Sequence, residues 1–235
     1  MKSHSPQWVT LLCAITFSLL STCAWSSVVI SGTRVIYPAG QKEVTVKLDN
    51  VGSAPVLIQS WIDNGNVDTK PEKIVVPFIL TPPINRVEPK KGQTLRVSYT
   101  GAPLPTNKES VFWLNVLEIP AKAKSKGQDN YLQVAFRSRI KLFFRPQGLE
   151  GNANDAVKSV TWKSSPEGLT ATNPTPYFVS LVTVAVNKRE TEGYMIPPQS
   201  SLSFKFPAAV LPGAEINLTS VNDYGAIVNS KATVK

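Results

Sequence analysis

Residues 131–144 read YLQVAFRSRIKLFF, an uninterrupted run of β-forming residues that contains neither proline nor glycine. A typical strand has about five to six residues, so this run predicts an unusually long strand. Successive side chains of a strand point to opposite faces, which places Leu132, Val134 and Phe136 together on one face. The run therefore predicts a β-rich domain in which this strand has a special position.

The pattern alone leaves two interpretations of the long strand open. It is either a central strand of a sandwich or an edge strand that is offered to a partner by β-augmentation. The cations Arg137, Arg139 and Lys141 fit an edge better than a dry core. Periodicity cannot separate the two interpretations, because both have the same alternation.

The rest of the chain repeats the β pattern in shorter segments. Alternating apolar residues in 44–48 and 95–99, and apolar runs in 111–119 and 177–186, are separated by turn-forming segments such as 49–52 and 63–66. No segment has a convincing helical stripe, and 19 prolines argue against long helices. This spacing of short strands predicts β-sandwiches or barrels.

The strand pattern is interrupted once, directly after Arg145-Pro146. Residues 147–152 are polar or glycine-rich and lack alternation. We therefore predict a first domain over residues 27–146 and a second over residues 152–235. Both lengths suit an immunoglobulin-like sandwich.

The first 26 residues have the plan of a secretory signal peptide. Lys2 precedes the apolar stretch 9–20, and small residues follow up to Ser26. The apolar stretch is too short for a membrane-spanning helix, and no later segment is long enough. We expect cleavage after Ser26 and an exported, soluble product. A lipoprotein interpretation of residues 20–23 is the rival, although Thr22 stands where a smaller residue is usual.

Both cysteines and the only histidine, Cys13, Cys23 and His4, lie inside this predicted signal peptide. Residues 27–235 therefore exclude a disulfide, a thiol nucleophile, a Ser-His-Asp triad and an ordinary zinc site. The formal net charge of +9 fits either a solvated basic surface or an anionic partner.

Two carboxylate arrangements were weighed as functional sites. Asp63, Asp68 and Glu72 lack the spacing of an EF-hand, so a solvated loop is favoured over a calcium site. Glu109 and Glu118 would be the pair of a glycosidase, but on one strand they would lie about 30 Å apart. That separation is too long for a catalytic pair, so we predict no enzyme, no cofactor and no metal.

Six motifs in order along the chain resemble one known family, the periplasmic pilus (fimbrial) chaperones of Gram-negative bacteria. The clearest motif is LPTNKESVFWLNVLEIP at residues 104–120. The other five are GTRVIY at 32–37, TPPINR at 81–86, RIKLFFRP at 139–146, NPTPY at 173–177 and NDYG at 222–225.

The resemblance implies an all-β fold of two immunoglobulin-like β-sandwich domains arranged in an L. It implies a periplasmic chaperone that caps pilus subunits by donor-strand complementation and delivers them to an outer-membrane usher. It implies no nucleic acid and no small-molecule substrate, and it leaves open a self-capping dimer or oligomer in the absence of subunits. The short, polar segment 121–130 resembles the short-loop branch of the family.

The resemblance also assigns roles to individual residues. The residues that would hold the terminal carboxylate of the subunit are Arg34 and Lys141. The residues that would enter the apolar groove of the subunit are Leu132, Val134 and Phe136. The residues that would form an ionic link between the domains are Glu109, Arg145 and Asp223.

The alternative is a structural or adhesive fimbrial subunit built from the same kind of sandwich. Such a subunit is expected to carry an N-terminal donor extension and to lack its own last strand. Here the predicted mature chain starts almost directly in its first strand, which favours the chaperone.

Overall fold

The structure, a computed structural model, describes residues 27–121 and 134–235. Within these two ranges the only helical segments are the 3-10 turn Pro71–Lys73 and the helix α1, Ala156–Ser159. The predicted signal peptide, the segment 122–130 and Leu132 lie outside the described residues. No helix in the described ranges is long and apolar enough to cross a bilayer.

The first sandwich consists of a four-stranded and a five-stranded sheet. The four-stranded sheet has the order β1-β3-β7-β5, with bounds Val28–Ile30, Glu43–Asn50, Gly92–Tyr99 and Phe78–Thr81. The five-stranded sheet has the order β2-β9-β8-β4-β6, with bounds Arg34–Pro38, Phe136–Arg145, Ser110–Pro120, Val56–Asp63 and Ile84–Val87.

The second sandwich consists of a three-stranded and a five-stranded sheet. The three-stranded sheet has the order β10-β11-β15, with bounds Thr161–Ser165, Gly168–Asn173 and Ser200–Lys205. The five-stranded sheet has the order β13-β12-β16-β17, with bounds Arg189–Glu192, Val179–Val186, Glu215–Val221 and Ile227–Thr233. Its fifth strand, β14 (Met195–Ile196), also pairs with β12.

Each sandwich encloses its own apolar core. Tyr37, Leu48 and Leu142 are fully buried in the first core, and Trp162 and Phe204 are almost fully buried in the second. The side chains alternate between core and surface along the strands, as the sequence pattern indicates. The predicted all-β fold class, with two immunoglobulin-like sandwiches, is therefore confirmed.

The chain changes sheets between its first two strands. β1 pairs antiparallel with β3 in the four-stranded sheet, whereas β2 pairs parallel with β9 in the five-stranded sheet. Gly32 lies between them with φ +106°, a backbone conformation that side-chain-bearing residues rarely adopt. This crossing places Arg34, the first residue of β2, beside the middle of β9.

Over the described residues, strand β9 begins later than the run 131–144 that the sequence predicts as one strand. Within the described residues it begins at Phe136 and ends at Arg145. Val134 and Ala135 precede it without strand geometry. The ladder between β9 and β8 ends at the pair Phe136 and Glu118, so the two residues before Phe136 lie beyond the paired part of the sheet.

Candidate functional site

The two sides of β9 are paired to different extents. On one side β9 pairs with β8 from Phe136 to Phe144. On the other side it pairs with β2 only from Lys141 to Arg145. In the described part of the chain, no strand pairs with that second side between residues 136 and 140. β9 is therefore an edge strand in its first half and an internal strand in its second half.

Two large apolar side chains are exposed at this open end. Val134 is 47% exposed and Phe136 is 52% exposed, although a core would bury either of them. They line a cavity of about 550 Å³ together with residues 51–56 and Glu118. Exposure of neighbouring apolar side chains beside an open backbone edge is typical of a binding surface. Leu132, the third predicted groove residue, is outside the described ranges.

Arg34 and Lys141 are cross-strand neighbours where the open half of β9 meets its internal half. The parallel register pairs their Cα atoms directly. Val35 and Leu142 are buried in the core, so Arg34 and Lys141 project from the opposite face, toward the second sandwich. The structure thus brings together the two cations that the sequence comparison with the family singled out.

The Arg34 guanidinium donates hydrogen bonds to the second sandwich, but one of its donors has no partner in the described part of the chain. Its Nη1 donates to the carbonyl oxygen of Val221 at 3.0 Å and to Ser180 Oγ at 3.5 Å. Its Nε is buried and has no hydrogen-bond partner among the described residues. A buried donor without a hydrogen-bond partner is costly, so Arg34 Nε has an unused donor in this structure.

Burial and neighbouring charges change the pKa values of both Arg34 and Lys141. Burial lowers the pKa of Lys141, and the neighbouring Arg34 charge lowers it further. Burial also lowers the pKa of Arg34, and Asp223 offsets only part of this effect. No carboxylate of the described chain forms a salt bridge with Lys141. Two partly desolvated cations therefore lie side by side on adjacent strands.

Glu109, Arg145 and Asp223 form one ionic cluster between the sandwiches. Arg145 Nε donates to Glu109 Oε1 at 2.6 Å. Its Nη1 and Nη2 donate to the two oxygens of Asp223 at 2.7 Å and 2.9 Å, which is a bidentate contact. Glu109 Oε2 also accepts the backbone N–H of Phe178 at 2.8 Å. Every carboxylate oxygen in the cluster therefore has a donor.

The cluster is largely withdrawn from solvent. The Glu109 side chain is 2% exposed, and those of Arg145 and Asp223 are each 21% exposed. Burial raises the pKa of Glu109, although Arg145 counteracts this. Burial opposes the charge of Arg145, but its contacts with Asp223 and Glu109 prevail and raise the pKa of Arg145. The guanidinium thus stays charged between its two carboxylates.

Apolar and close-packed contacts surround the cluster. The rings of Phe143 and Phe178 lie 5.6 Å apart, one from each sandwich. Gly225 approaches Thr33 so closely that an added Cβ would lie 2.5 Å from Thr33 Oγ1. The two sandwiches therefore meet in an ordered interface beside Arg34 and Lys141.

A second buried network lies on the outer face of the five-stranded sheet. The Asp63 carboxylate, 1% exposed, accepts from Arg139 Nη2 at 2.6 Å and from Asn115 Nδ2 at 2.7 Å. Arg137 Nη2 lies 3.7 Å from Asp63 Oδ2, and Arg137 Nε donates to Asn115 Oδ1 at 2.8 Å. The guanidinium groups of Arg137 and Arg139 also lie over the rings of Trp61 and Trp113.

This network holds Asp63 in its charged form. Burial would raise the pKa of Asp63, but hydrogen bonds from Arg139, Asn115 and the Gly65 backbone outweigh burial and lower it. The sequence pattern does not reveal the network, because Asp63-Asn64-Gly65-Asn66 has the composition of a turn. The available signal is the pair of cations at alternate positions, Arg137 and Arg139, together with an acid at the end of β4, which lies one strand beyond β8.

Glu118 is buried near the end of β8, beside the first residues of the described chain. Glu118 accepts from the backbone N–H of Val28 at 3.0 Å and from Ser27 Oγ. No group of carboxylate, histidine or cysteine side chains suited to a metal ion occurs within residues 27–121 and 134–235.

Comparison with known proteins identifies the family. Residues 27–150 match the N-terminal domain of the PapD pili and flagellar-assembly chaperones, and residues 155–232 match the C-terminal domain of PapD pili assembly chaperones. The chain belongs to the pilus assembly chaperone family. Chaperone protein FimB/FhaD of Bordetella pertussis is 44% identical over 96% of this chaperone and 96% of its own length. Chaperone protein HifB of Haemophilus influenzae is 43% identical over 92% of this chain and 93% of its own length.

Solved structures agree with this assignment of the chaperone. The crystal structure of the YadV chaperone is 40% identical, with a TM-score of 0.75 over 88% of this chain and all of that chain. The SafB chaperone of Salmonella enterica, solved in complex with the SafA pilin, is 25% identical. Its TM-score is 0.78, over 90% of this chain and 98% of that chain. These relatives are named chaperones, so the alternative of a structural or adhesive fimbrial subunit is not favoured.

Proposed function

We propose that this protein is a periplasmic chaperone that binds and caps pilus subunits by donor-strand complementation and delivers them to an outer-membrane usher. The observation that carries the proposal is the half-open edge of β9, which runs directly into the Arg34 and Lys141 pair. A backbone edge offers nearly sequence-independent pairing, and a cationic end point fixes where the pairing stops. The SafA–SafB complex of a structural neighbour supports a pilin as the partner.

The open edge would complete the sheet of a subunit that lacks a strand. The unpaired N–H and C=O groups of β9 would bond to the subunit, while Val134 and Phe136, with Leu132 before them, would enter its apolar groove. Full burial of a large apolar side chain contributes about 1.5–3 kcal/mol. These three side chains would thus supply several kcal/mol of gross binding energy.

The carboxylate at the C-terminus of the subunit would be held by Arg34 and Lys141. The free Nε of Arg34 and the ammonium group of Lys141 provide donors on adjacent strands. A carboxylate there would relieve the repulsion between the two cations. It would also fix the register, since a slip by one residue turns the apolar side chains to the wrong face.

We also propose that Glu109, Arg145 and Asp223 set the angle between the domains, which we place at residues 27–146 and 152–235. Export by a cleaved signal peptide over residues 1–26, docking to the usher, and self-capping through the same edge in the absence of subunits belong to this proposal. It involves no chemical reaction and no cofactor. The short-loop branch of the family is the expected one.

The Lys141→Ala substitution tests the carboxylate anchor. Removing one partner of a buried charge pair costs about 2–5 kcal/mol, or roughly 30-fold to several-thousand-fold in affinity. We expect a folded protein that no longer retains fimbrial subunits during co-purification from the periplasm. The circular dichroism spectrum and the melting temperature should stay close to those of the wild type.

Lys163→Ala is the matched control, since Lys163 is an exposed strand lysine in the second sandwich. This variant should retain subunits at the wild-type level. Normal subunit retention by Lys141→Ala would contradict the anchor.

A further inference from the structure

Alternation alone does not fix the register of a strand that pairs with β9. A slip by one residue reverses the faces, but a slip by two residues keeps the apolar side chains on the groove side. Two residues correspond to about 6.8 Å along a strand. A second feature must therefore prevent a subunit from pairing two residues out of place.

The cations of β9 repeat with the same two-residue period. Arg137, Arg139 and Lys141 occupy alternate positions and so project from one face. A terminal carboxylate displaced by two residues from Lys141 would arrive at Arg139, and one displaced by four would arrive at Arg137. If all three cations were free, the anchor would exist in three registers.

The structure distinguishes these cations by their partners. Asp63 receives two hydrogen bonds from Arg139 and lies 3.7 Å from Arg137, whereas no acid of the described chain pairs with Lys141. Asn115 occupies a further donor of Arg137, and the carbonyl oxygen of Val67 accepts from Arg137 at 3.0 Å. The two arginines thus share one carboxylate, and Asn115 and Val67 engage further donors of Arg137, whereas Lys141 beside Arg34 has no acid partner in the described chain.

We propose that Asp63 is a specificity determinant of subunit register, because it makes Arg139 and Arg137 unavailable to the carboxylate of the subunit. Asp63 does not touch the subunit; it acts through the two arginines and is a positioning residue. The inference rests on the proposed function, since it presupposes that the carboxylate is anchored at Lys141.

The test asks whether removing Asp63 creates a second anchor. Lys141→Met removes the first anchor and should weaken binding of the fimbrial subunit that co-purifies with the wild-type protein by about 30-fold or more. Adding Asp63→Asn frees the charge of Arg139. We expect the double variant to recover roughly tenfold of that affinity, as one charge-assisted contact would provide.

The recovered complex should be displaced in register. Single cysteines introduced at Ala135 or Ser138 of the chaperone and along the last strand of the subunit report the register by disulfide cross-linking. The preferred cross-links should move by two residues relative to wild type. Recovery without this displacement would overturn the proposal, and so would a folded double variant that binds no better than Lys141→Met.

A matched variant separates register control from a structural role of the network. Asp63→Asn with Arg137→Gln, Arg139→Gln and Lys141→Met removes the acid and both competing cations with similar side-chain size. It should bind as weakly as Lys141→Met. Wild-type binding by Lys141→Met itself would instead refute the anchor of the proposed function, so the two failures are distinguishable.

A measurement on the wild-type protein decides the question even if the Asp63 variants do not fold. Sodium acetate serves as a carboxylate probe in an NMR titration of the side-chain signals. Acetate should shift the signals of Lys141 and Arg34 and leave those of Arg137 and Arg139 unchanged. Equal responses at Arg139 and Lys141 would show that Asp63 does not mask the arginine, and would overturn the proposal.

Discussion

At the scale of single residues, Asp63 shows how one buried carboxylate determines which cations of a sheet are available. Its side chain is almost completely inaccessible, and its oxygens are occupied by Arg139, Asn115 and the Gly65 backbone. Breaking such a buried pair leaves unpaired charge inside the protein, and this is more costly than losing an exposed ion pair.

The Asp63→Asn substitution should therefore lower the free energy of unfolding by about 2–3 kcal/mol at neutral pH. Because the folded-state pKa of Asp63 lies below its ordinary value of 3.8, its ionised form stabilises the native state above that pH. This stabilisation is lost as the pH falls through the lowered folded-state pKa. The difference between wild type and variant should shrink accordingly, as measured by urea unfolding at pH 7 and pH 3.

Asp49→Asn provides the comparison for this measurement. Asp49 forms an exposed pair with Lys47, whose side chain is 64% exposed. Loss of this ion pair should lower the free energy of unfolding by less than about 1 kcal/mol. Similar costs for both substitutions would mean that the Asp63 network contributes no more than a surface ion pair.

At the scale of secondary-structure elements, the two halves of β9 have different neighbours and therefore different roles. From Lys141 onward, β9 pairs with β8 on one side and with β2 on the other. Before Lys141, it pairs only with β8 among the described strands. An edge that is open, apolar and extended invites pairing with another chain. The same element thus anchors the first sandwich and presents a surface for binding.

Phe136→Arg should abolish subunit binding, because a cation would enter the apolar groove of the subunit at a cost of several kcal/mol. Ala135→Arg is the matched control on the neighbouring position, whose side chain points to the other face. It should bind within a few-fold of wild type. The measurement is subunit retention during co-purification; equal losses in both variants would mean that the side chains of this face do not enter the groove.

Much of the element pattern could be predicted from the sequence. Alternating apolar residues indicate β7 and β8 closely, since cores impose a period of two on each strand. The parallel pairing of β2 with β9 could not be predicted, because the sheet change at Gly32 depends on tertiary packing. Ser180 and Val221, the partners of Arg34, could not be predicted for the same reason, because acceptors more than 140 residues away leave no local signal.

The Asp63 network illustrates the same limit at a single site. Asp63-Asn64-Gly65-Asn66 has the composition of a turn, and the carboxylate does accept from the Gly65 backbone at 2.7 Å. Its contacts with Arg137 and Arg139 come from residues more than 70 positions away. The pairing of Glu109, Arg145 and Asp223 was anticipated only through the family resemblance, because nothing in their spacing brings them together.

At the scale of the whole molecule, the ionic cluster around Arg145 is the charged part of the interface between the two sandwiches. Arg145→Ala would leave Glu109 and Asp223 close together without a counter-ion. We expect a loss of about 2–3 kcal/mol, which corresponds to a fall in melting temperature of roughly 5–10 °C. Small-angle scattering should show a broader range of domain orientations, while subunit binding should weaken less than in Lys141→Ala.

Arg86→Ala is the control for the domain junction. It removes an exposed pair with Glu88 at 2.7 Å, within the first sandwich. The melting temperature and the scattering profile should match those of wild type. If Arg145→Ala also matches wild type in both measurements, the cluster does not fix the orientation of the domains.

The contact of Arg34 with the second sandwich has a consequence for the division of labour between the domains. Strand β9 and both cations come from the first sandwich, so that domain contains every group that would touch the subunit. Yet the Arg34 guanidinium takes its acceptors, Val221 and Ser180, from the second sandwich. A first domain alone would keep the open edge but would let this arginine swing into solvent. Under the proposed function, the second sandwich would therefore act in recognition indirectly, by holding the Arg34 guanidinium in place beside Lys141.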